Sequence, residues 1–233
     1  MPVLVDAPDL ALTAHRAAPE EGSGVGVAQG EIRSYLVRRG RTGPTSRAAL
    51  ERLWPVYGES ELAAVLGRPP RVVEIGFGMG EATAVMAAAA PDTELLAVEV
   101  HPAGIAALLR RLETAALTNV RIWHGDAVPV LQALTDGCLD EVRLFFPDPW
   151  PKARHAKRRL LRPSFATLLA RVLAPGGFLH LATDWPGYEE HAREALASWT
   201  VVADRRDRPV TGYERRAHRD GREAVDLVCH PPR

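Results

Sequence analysis

Cysteine and lysine are scarce in this chain of 233 residues: it has two cysteines, Cys138 and Cys229, and two lysines, Lys152 and Lys157. Two cysteines so far apart cannot build a disulfide framework, and their spacing matches no metal centre. They read as reduced thiols of a cytoplasmic protein with no bound metal. An excess of either charge is also missing. Lys and Arg total 29 against 29 Asp and Glu, so binding of a polyanion would have to come from local clustering, not from a global field. No apolar run is long enough to span a membrane. Asp6 and Asp9 interrupt the apolar patches near the N-terminus, where no basic leader precedes them, so no signal peptide is read.

What is present is an ordinary globular composition, 46% hydrophobic and 25% charged, at a length that suits one sizeable α/β core. Residues 1–30 are rich in Ala, Pro, Gly and acid without periodicity and read as a flexible leader. Residues 31–233 read as a single domain. Basic and apolar residues interleave from Ile32 to Arg41, and Ser46 is the expected N-cap of a short helix reaching Trp54. Short apolar runs then predict strands at 72–75, 94–100, 120–124, 139–145 and 178–182. Helices are expected between them at 81–90, 103–116, 128–134 and 164–172. Pro175-Gly176-Gly177 predicts a tight turn before the fifth strand. A helix at 187–198 and two final strands at 200–203 and 224–229 complete the pattern. Such alternation implies a mostly parallel, seven-stranded sheet flanked by helices.

The first strand runs into Glu74-Ile75-Gly76-Phe77-Gly78-Met79-Gly80. A glycine loop between a strand and a helix aims backbone N–H groups at a ligand and lets it approach the backbone closely. The spacing of Gly76, Gly78 and Gly80 is not the G-x-G-x-x-G of a dinucleotide site. Glu74 would repel a diphosphate and suits a ligand with a cationic amino group. Glu99 ends the second strand, where an acid can accept both hydroxyls of a ribose. Asp126 follows the third strand and could accept an adenine amino group, cap the next helix, or do both. Three acids at three successive strand ends mark the carboxyl edge, where open α/β sheets bind ligands.

The fourth strand leads into Phe146-Pro147-Asp148-Pro149-Trp150-Pro151. Prolines stiffen such a loop, and an acid beside an aromatic suits a planar base such as guanine; a proline turn with a core tryptophan is the plainer reading. The run from Lys152 to Arg162 follows, carrying Arg154, Lys157, Arg158 and Arg159. Beside a base pocket it forms a phosphate-contacting surface, although charge runs are often only solvated faces. Both lysines fall inside it.

On these motifs, together with Ala182-Thr183-Asp184-Trp185, the chain resembles the bacterial tRNA (guanine-N7)-methyltransferases from about Ile32 to Val228. The resemblance implies the Rossmann-like class I methyltransferase fold and S-adenosylmethionine as cofactor. It also implies tRNA as partner, with the guanine at position 46 of the variable loop as acceptor. It places Glu74, Gly76, Gly78, Gly80, Glu99, Asp126 and Asp148 at the cofactor, with Asp148 also the catalytic acid. It places Lys152, Arg154, Lys157, Arg158, Asp184, Thr211, Tyr213 and Glu214 at the substrate. The chain departs from the family pattern at Gly212, where a lysine is usual, at Tyr213, where phenylalanine is usual, and over residues 41–44, which lack an expected lysine. Other readings are a methyltransferase acting on another acceptor, an exocyclic nitrogen included, and a non-enzymatic nucleotide- or RNA-binding module. A dehydrogenase is disfavoured by the glycine spacing. A monomer and a homodimer are both compatible with the sequence.

Overall fold

The computed structural model describes Tyr35 and residues 43–232. The leader and most of the basic segment 32–41 lie outside the described residues. The elements are α1 (Pro44–Tyr57), β1 (Gly58–Glu59), α2 (Leu62–Gly67), β2 (Val72–Ile75), α3 (Glu81–Ala89), β3 (Leu95–Glu99), α4 (Pro102–Thr114), β4 (Val120–His124) and α5 (Ala127–Ala133). They continue as β5 (Leu139–Phe145), a 3-10 turn (Ala153–Arg158), α6 (Pro163–Val172), β6 (Leu173–Thr183), α7 (Pro186–Ala195), β7 (Thr200–Ala203), α8 (Gly212–Arg219) and β8 (Val225–His230).

All residues of β2 and β3 are buried, as parallel strands must be when helices cover both faces. The strand order is β1-β4-β3-β2-β5-β6-β8-β7. Pairings are parallel except those of β8, which runs antiparallel to β6 and β7. Alternate residues feed two cores. Val73, Ile75, Val142 and Leu144 pack with α5, α6 and α7 on one face. Val72, Leu95 and Ala97 pack with α3 and α4 on the other. From β2 the chain winds outward through β3 and β4, then returns to the other side of β2 as β5. The connections therefore diverge between β2 and β5, and a crevice opens at their carboxyl ends.

The sheet has eight strands among the described residues, one more than expected. The additional β1 is two residues long and pairs with Ile122 and Trp123 of β4. It has no apolar alternation to announce it and is held by its surroundings. Glu59 accepts from Arg121 Nη1 at 2.9 Å, and Gly58 lies under the Trp54 indole, 2.2 Å from where a Cβ would stand. Helix α1 starts at Pro44, with Gly43 as N-cap, and not at Ser46; proline's fixed φ suits a first turn. Residues 175–177 form a bulge inside β6 instead of a turn before it: the register with β5 jumps from Leu139↔Leu173 to Glu141↔Phe178.

Buried Asn119 closes the amino side of β4. Its Nδ2 donates to the carbonyls of Ala87, Ala90 and Thr93 at 2.9–3.1 Å, sealing the end of α3. Asn119→Leu leaves those carbonyls without this donor and is expected to destabilise the fold by about 1–3 kcal/mol. A lowered Tm in thermal unfolding, at unchanged far-UV dichroism, is the expected result, and an unchanged Tm would refute the assignment.

Candidate active site

The crevice between β2 and β5 is lined by Ile75, Gly76, Glu99, Asp126, Phe146 and Asp148, with Tyr35 also at its wall. Three acids expected from separate strand ends thus share one cavity. Glu74 sits just behind it, 2% exposed.

The glycine loop is rigid. Gly76, Gly78 and Gly80 stand at φ of 70°, 58° and 69°, which other residues rarely adopt. A Cβ at Gly76 or Gly78 would meet no atom within 4 Å, so these positions leave open space beside the backbone. Glu99 locks the loop to the second strand. Its Oε2 accepts from Gly78 N–H at 2.9 Å, and its Oε1 accepts from Val100 and His101 N–H at 2.7 and 3.0 Å. Of about four acceptor sites on a carboxylate, three are in use, leaving room for about one further donor instead of a pair of hydroxyls. From behind, Gly104 of α4 touches the loop so closely that a Cβ would lie 2.2 Å from Gly78 O. Asp126 caps α5, accepting from Val128 N–H at 3.0 Å, while also lining the cavity. The capping and ligand-facing readings of this residue coexist.

Glu74 accepts from Thr83 Oγ1 at 3.0 Å through Oε1, and its buried Oε2 has no partner. Burial pushes its carboxyl up to about 7, against the pull of Arg143 and the Thr83 hydroxyl. A buried acceptor with no donor suits a ligand that brings a cationic one.

The loop after β5 is strained and tightly held. Phe146 and Trp150 each precede a proline, which disfavours the right-handed helical region, and both stand at positive φ, 51° and 43°. Such conformations cost on the order of 1–3 kcal/mol each and persist only where the surroundings impose them. Phe146 N–H donates to Ala182 O at 2.7 Å, and its ring packs 4.8 Å from Tyr213. Trp150 is 8% exposed, under the guanidinium of Arg158 and edge-on to His155. Its ring therefore anchors the basic turn, the plainer of the two sequence readings, and the exposed aromatic packed on this loop, against Phe146, is Tyr213.

The basic run divides by role. Arg158 stacks on Trp150, and Arg159 donates to Pro149 O at 3.0 Å and Gly187 O at 3.3 Å. Lys152, Arg154 and Lys157 are exposed, with no acidic partner among the described residues.

Thr211 caps α8, accepting from Glu214 N–H at 3.3 Å. Glu214, 8% exposed, is held by Arg205 at 2.6 and 2.9 Å and by Arg208 at 2.8 Å. Tyr213 Oη donates to buried Asp184 at 3.4 Å, and Arg222 pairs with the same acid. Gly212 N–H donates to Glu81 at 2.7 Å, tying the start of α8 to the first turn of α3.

Behind these residues runs a row of buried charges. Glu74, Arg143 and His180 are register partners on β2, β5 and β6. Arg143 Nη2 donates to Glu141 at 2.9 Å, His180 Nε2 bonds Asp226 at 3.1 Å, and Asp226 accepts from Arg208 Nη2 at 2.7 Å. The sequence Glu74, Arg143, Glu141, His180, Asp226, Arg208, Glu214, Arg205 alternates in sign from the glycine loop to α8. Burial opposes the charge on His180, but Asp226 and Glu141 outweigh it and raise its pKa. Burial likewise raises Glu141, yet His180 and Arg143 bring it down to about 2.

Comparison with known proteins decides the family. A family described as "Putative methyltransferase" matches residues 68–227. A tRNA (guanine-N(7)-)-methyltransferase of Nitrosospira multiformis is 47% identical over 84% of this chain and 93% of its own length. Proteins with the same name from Nitrosococcus oceani and Idiomarina loihiensis are 45% and 41% identical, covering 84% and 91% of this chain and 89% and 94% of theirs. The chain belongs to the tRNA (guanine-N7)-methyltransferase family. The sheet order, with a single antiparallel strand inserted near one edge, is the class I methyltransferase arrangement expected of it.

S-adenosylmethionine, the methyl donor of this family, fits the residues present: an unpartnered buried carboxylate oxygen next to the glycine loop suits its ammonium group, and the glycine positions leave room for close approach. Several residues of this tRNA (guanine-N7)-methyltransferase family member carried no readable signal in the sequence. Glu81, Thr83 and Gly104 act through contacts distant in sequence. Arg143 and His180 stand inside strands, and their partners lie on neighbouring strands. Gly104→Ala is expected to force the Gly78 carbonyl aside, weakening S-adenosylmethionine binding about tenfold or more, since displacing a contact by even ~1.4 kcal/mol has that effect. Calorimetric titration tests this, and wild-type affinity in a folded variant would disprove it.

Proposed function

We propose that this protein transfers a methyl group from S-adenosylmethionine to N7 of a guanine in tRNA, at position 46 of the variable loop, forming 7-methylguanosine in the cytoplasm. The observation that carries the reading is the meeting of the acid-lined cavity with the Asp148 loop and its basic turn. Bound S-adenosylmethionine supplies an electrophilic sulfonium methyl group. Glu74 receives its amino group, Glu99 a ribose hydroxyl and Asp126 the adenine amino group, while Gly76, Gly78 and Gly80 let it approach the backbone.

Guanine N7 carries a free lone pair at neutral pH, so no general base is required, and catalysis is chiefly positioning. Asp148 lies at the cavity mouth, where its carboxylate stabilises the positive charge that develops on the base. Tyr213, 43% exposed, offers a face for stacking; Asp184 orients its hydroxyl. Thr211 and Glu214 fix the start of α8 so that Tyr213 stands beside Phe146. Lys152, Arg154, Lys157 and Arg158 hold phosphates, Arg158 also securing Trp150. The competing acceptor, an exocyclic nitrogen, is distinguished by locating the methyl group in digested tRNA nucleosides.

Asp148→Ala is expected to abolish tritiated methyl incorporation into tRNA while S-adenosylmethionine binding weakens only partly; full activity would sink the assignment. A pH effect follows from Glu74. With its free-protein pKa near 7, the carboxyl is protonated below that pH and must lose a proton to bind a cation. Affinity for S-adenosylmethionine is expected to fall by up to about tenfold per unit as pH drops below 7. Glu74→Gln should flatten that slope, and a pH-independent affinity in the wild type would count against Glu74 as the ammonium partner.

A further inference from the structure

Helix α8 was unread in the sequence, and its outer face is unexplained by the cofactor site. Gly212, Arg215, Arg216 and Arg219 follow the i, i+3, i+4, i+7 pattern of one helix face, opposite the buried Glu214 and Ala217. All three arginines are exposed. Their charges are largely uncompensated. Arg215 shares Glu81 with the backbone of Gly212, while Arg216 and Arg219 pair with no acid among the described residues. The neighbouring acids are already engaged: Asp220 pairs with Arg222, and Glu223 with His218 at 2.7 Å. A shallow groove runs along this face, lined by Arg215, Arg216, Arg219, Arg222 and Ala224.

The position of this stripe matters as much as its charge. The basic turn 153–158 is fixed to the α7 side of the sheet, where Arg159 reaches Gly187. Helix α8 is fixed to the α3 side, through Gly212 and Glu81. Those helices cover opposite faces. Between the two basic surfaces lies the Phe146–Asp148 loop, with Tyr213 of α8 packed against Phe146. In a chain of zero net charge, two separate cationic surfaces flanking one acceptor loop are not a consequence of composition.

We propose that Arg215, Arg216 and Arg219 form a second phosphate-binding surface, which holds the tRNA backbone on the side of the acceptor loop opposite the basic turn. The inference rests on the reading of tRNA as substrate. A polyanion spanning the carboxyl edge would be gripped on both sides of the base presented to Asp148. The face also contains Gly212, where the family pattern has a lysine, so the arginines one turn on supply positive charge to the surface that lacks it.

The test is the salt dependence of tRNA binding by the full chain, with Arg216→Gln/Arg219→Gln and Arg216→Glu/Arg219→Glu beside the wild type. Each phosphate contact contributes roughly 0.7–0.9 to the slope of log K against log salt. The Gln pair should therefore make the slope shallower by about 1.5 and raise KM for tRNA, while affinity for S-adenosylmethionine stays at the wild-type value. The Glu pair should weaken tRNA binding further. A wild-type slope and KM in both variants overturns the proposal while leaving tRNA as substrate intact. Failure of the wild type itself to bind or methylate tRNA overturns the underlying reading instead. Loss of S-adenosylmethionine binding in step with tRNA binding would mean that the helix acts only through the fold, and also overturns it.

Discussion

A row of alternating charges, most of them buried, ties the centre of the sheet to helix α8. Removing an ion from water costs several kcal/mol even after the protein relaxes, and opposite charges must be within reach to offset it. Here Arg143, His180, Asp226 and Arg208 are buried, each beside a group of the other sign, and partly exposed Arg205 ends the row before α8. The row explains why the chain beyond β7 is placed as it is. Arg208, whose side chain is fully buried, has to meet both Asp226 and Glu214, and this draws the segment 204–214 over the sheet. Arg208 also lies over the rings of Phe145 and Phe146, so the charges that hold α8 support the loop after β5 as well. Removing an interior member would leave each neighbour with one partner fewer, and losing half of a buried pair costs more than the pair itself is worth.

This row also shows where sequence reading works and where it stops. The acids Glu74, Glu99, Asp126 and Asp148 were legible because each stands at a strand end, where topology alone brings side chains to one edge. The parallel core was legible because β2 to β5 carry dense apolar runs. Arg143 and His180 were not, since a charged residue inside a strand looks like solvent exposure until its partner on the next strand is known. Helix α8 escaped for a related reason. Its sequence presents only Glu214 and Ala217 to the interior, and no apolar stripe marks it. The two-residue β1 is held by Trp54 and Arg121, contacts that lie outside any local window. The sequence leaves Trp150 between two readings for a different reason. The composition of the loop was read correctly, but the choice between a base and a guanidinium as the partner of that ring depends on where the turn 153–158 folds back.

The division of labour between arginine and lysine follows from geometry. Arg158 and Arg159 are used as planar groups, one stacked on an indole and the other forked between two carbonyls, a geometry that suits a guanidinium better than a compact ammonium. Lys152 and Lys157 occupy exposed positions of the same run where only charge is needed. Their survival in an arginine-dominated chain is thus compatible with point contacts to phosphates, and the stacked arginines are what give those points a fixed position.

The two halves of the site differ in how they are made rigid. On the cofactor side, the glycine loop is held by Glu99 in front and Gly104 behind, so its shape is set before any ligand arrives. On the acceptor side, the loop at Phe146–Trp150 adopts strained backbone that its own sequence does not favour. That strain is sustained by groups brought from β6, α8 and the turn 153–158. The glycine loop therefore depends on two successive βα units, β2–α3 and β3–α4, whereas the geometry of the loop at Phe146–Trp150 depends on the C-terminal half folding correctly. Glu74 joins the two: it stands just before the glycine loop and begins the charge row, and an ammonium bound there would neutralise the charge at that end of the row. With Glu74 protonated, Arg143 keeps Glu141 as its only anionic partner in the row, and the balance that positions His180 and Asp226 changes at one end. A second link is shorter: Gly212 N–H donates to Glu81 at 2.7 Å, which ties the start of α8 to the first turn of the helix that follows the glycine loop.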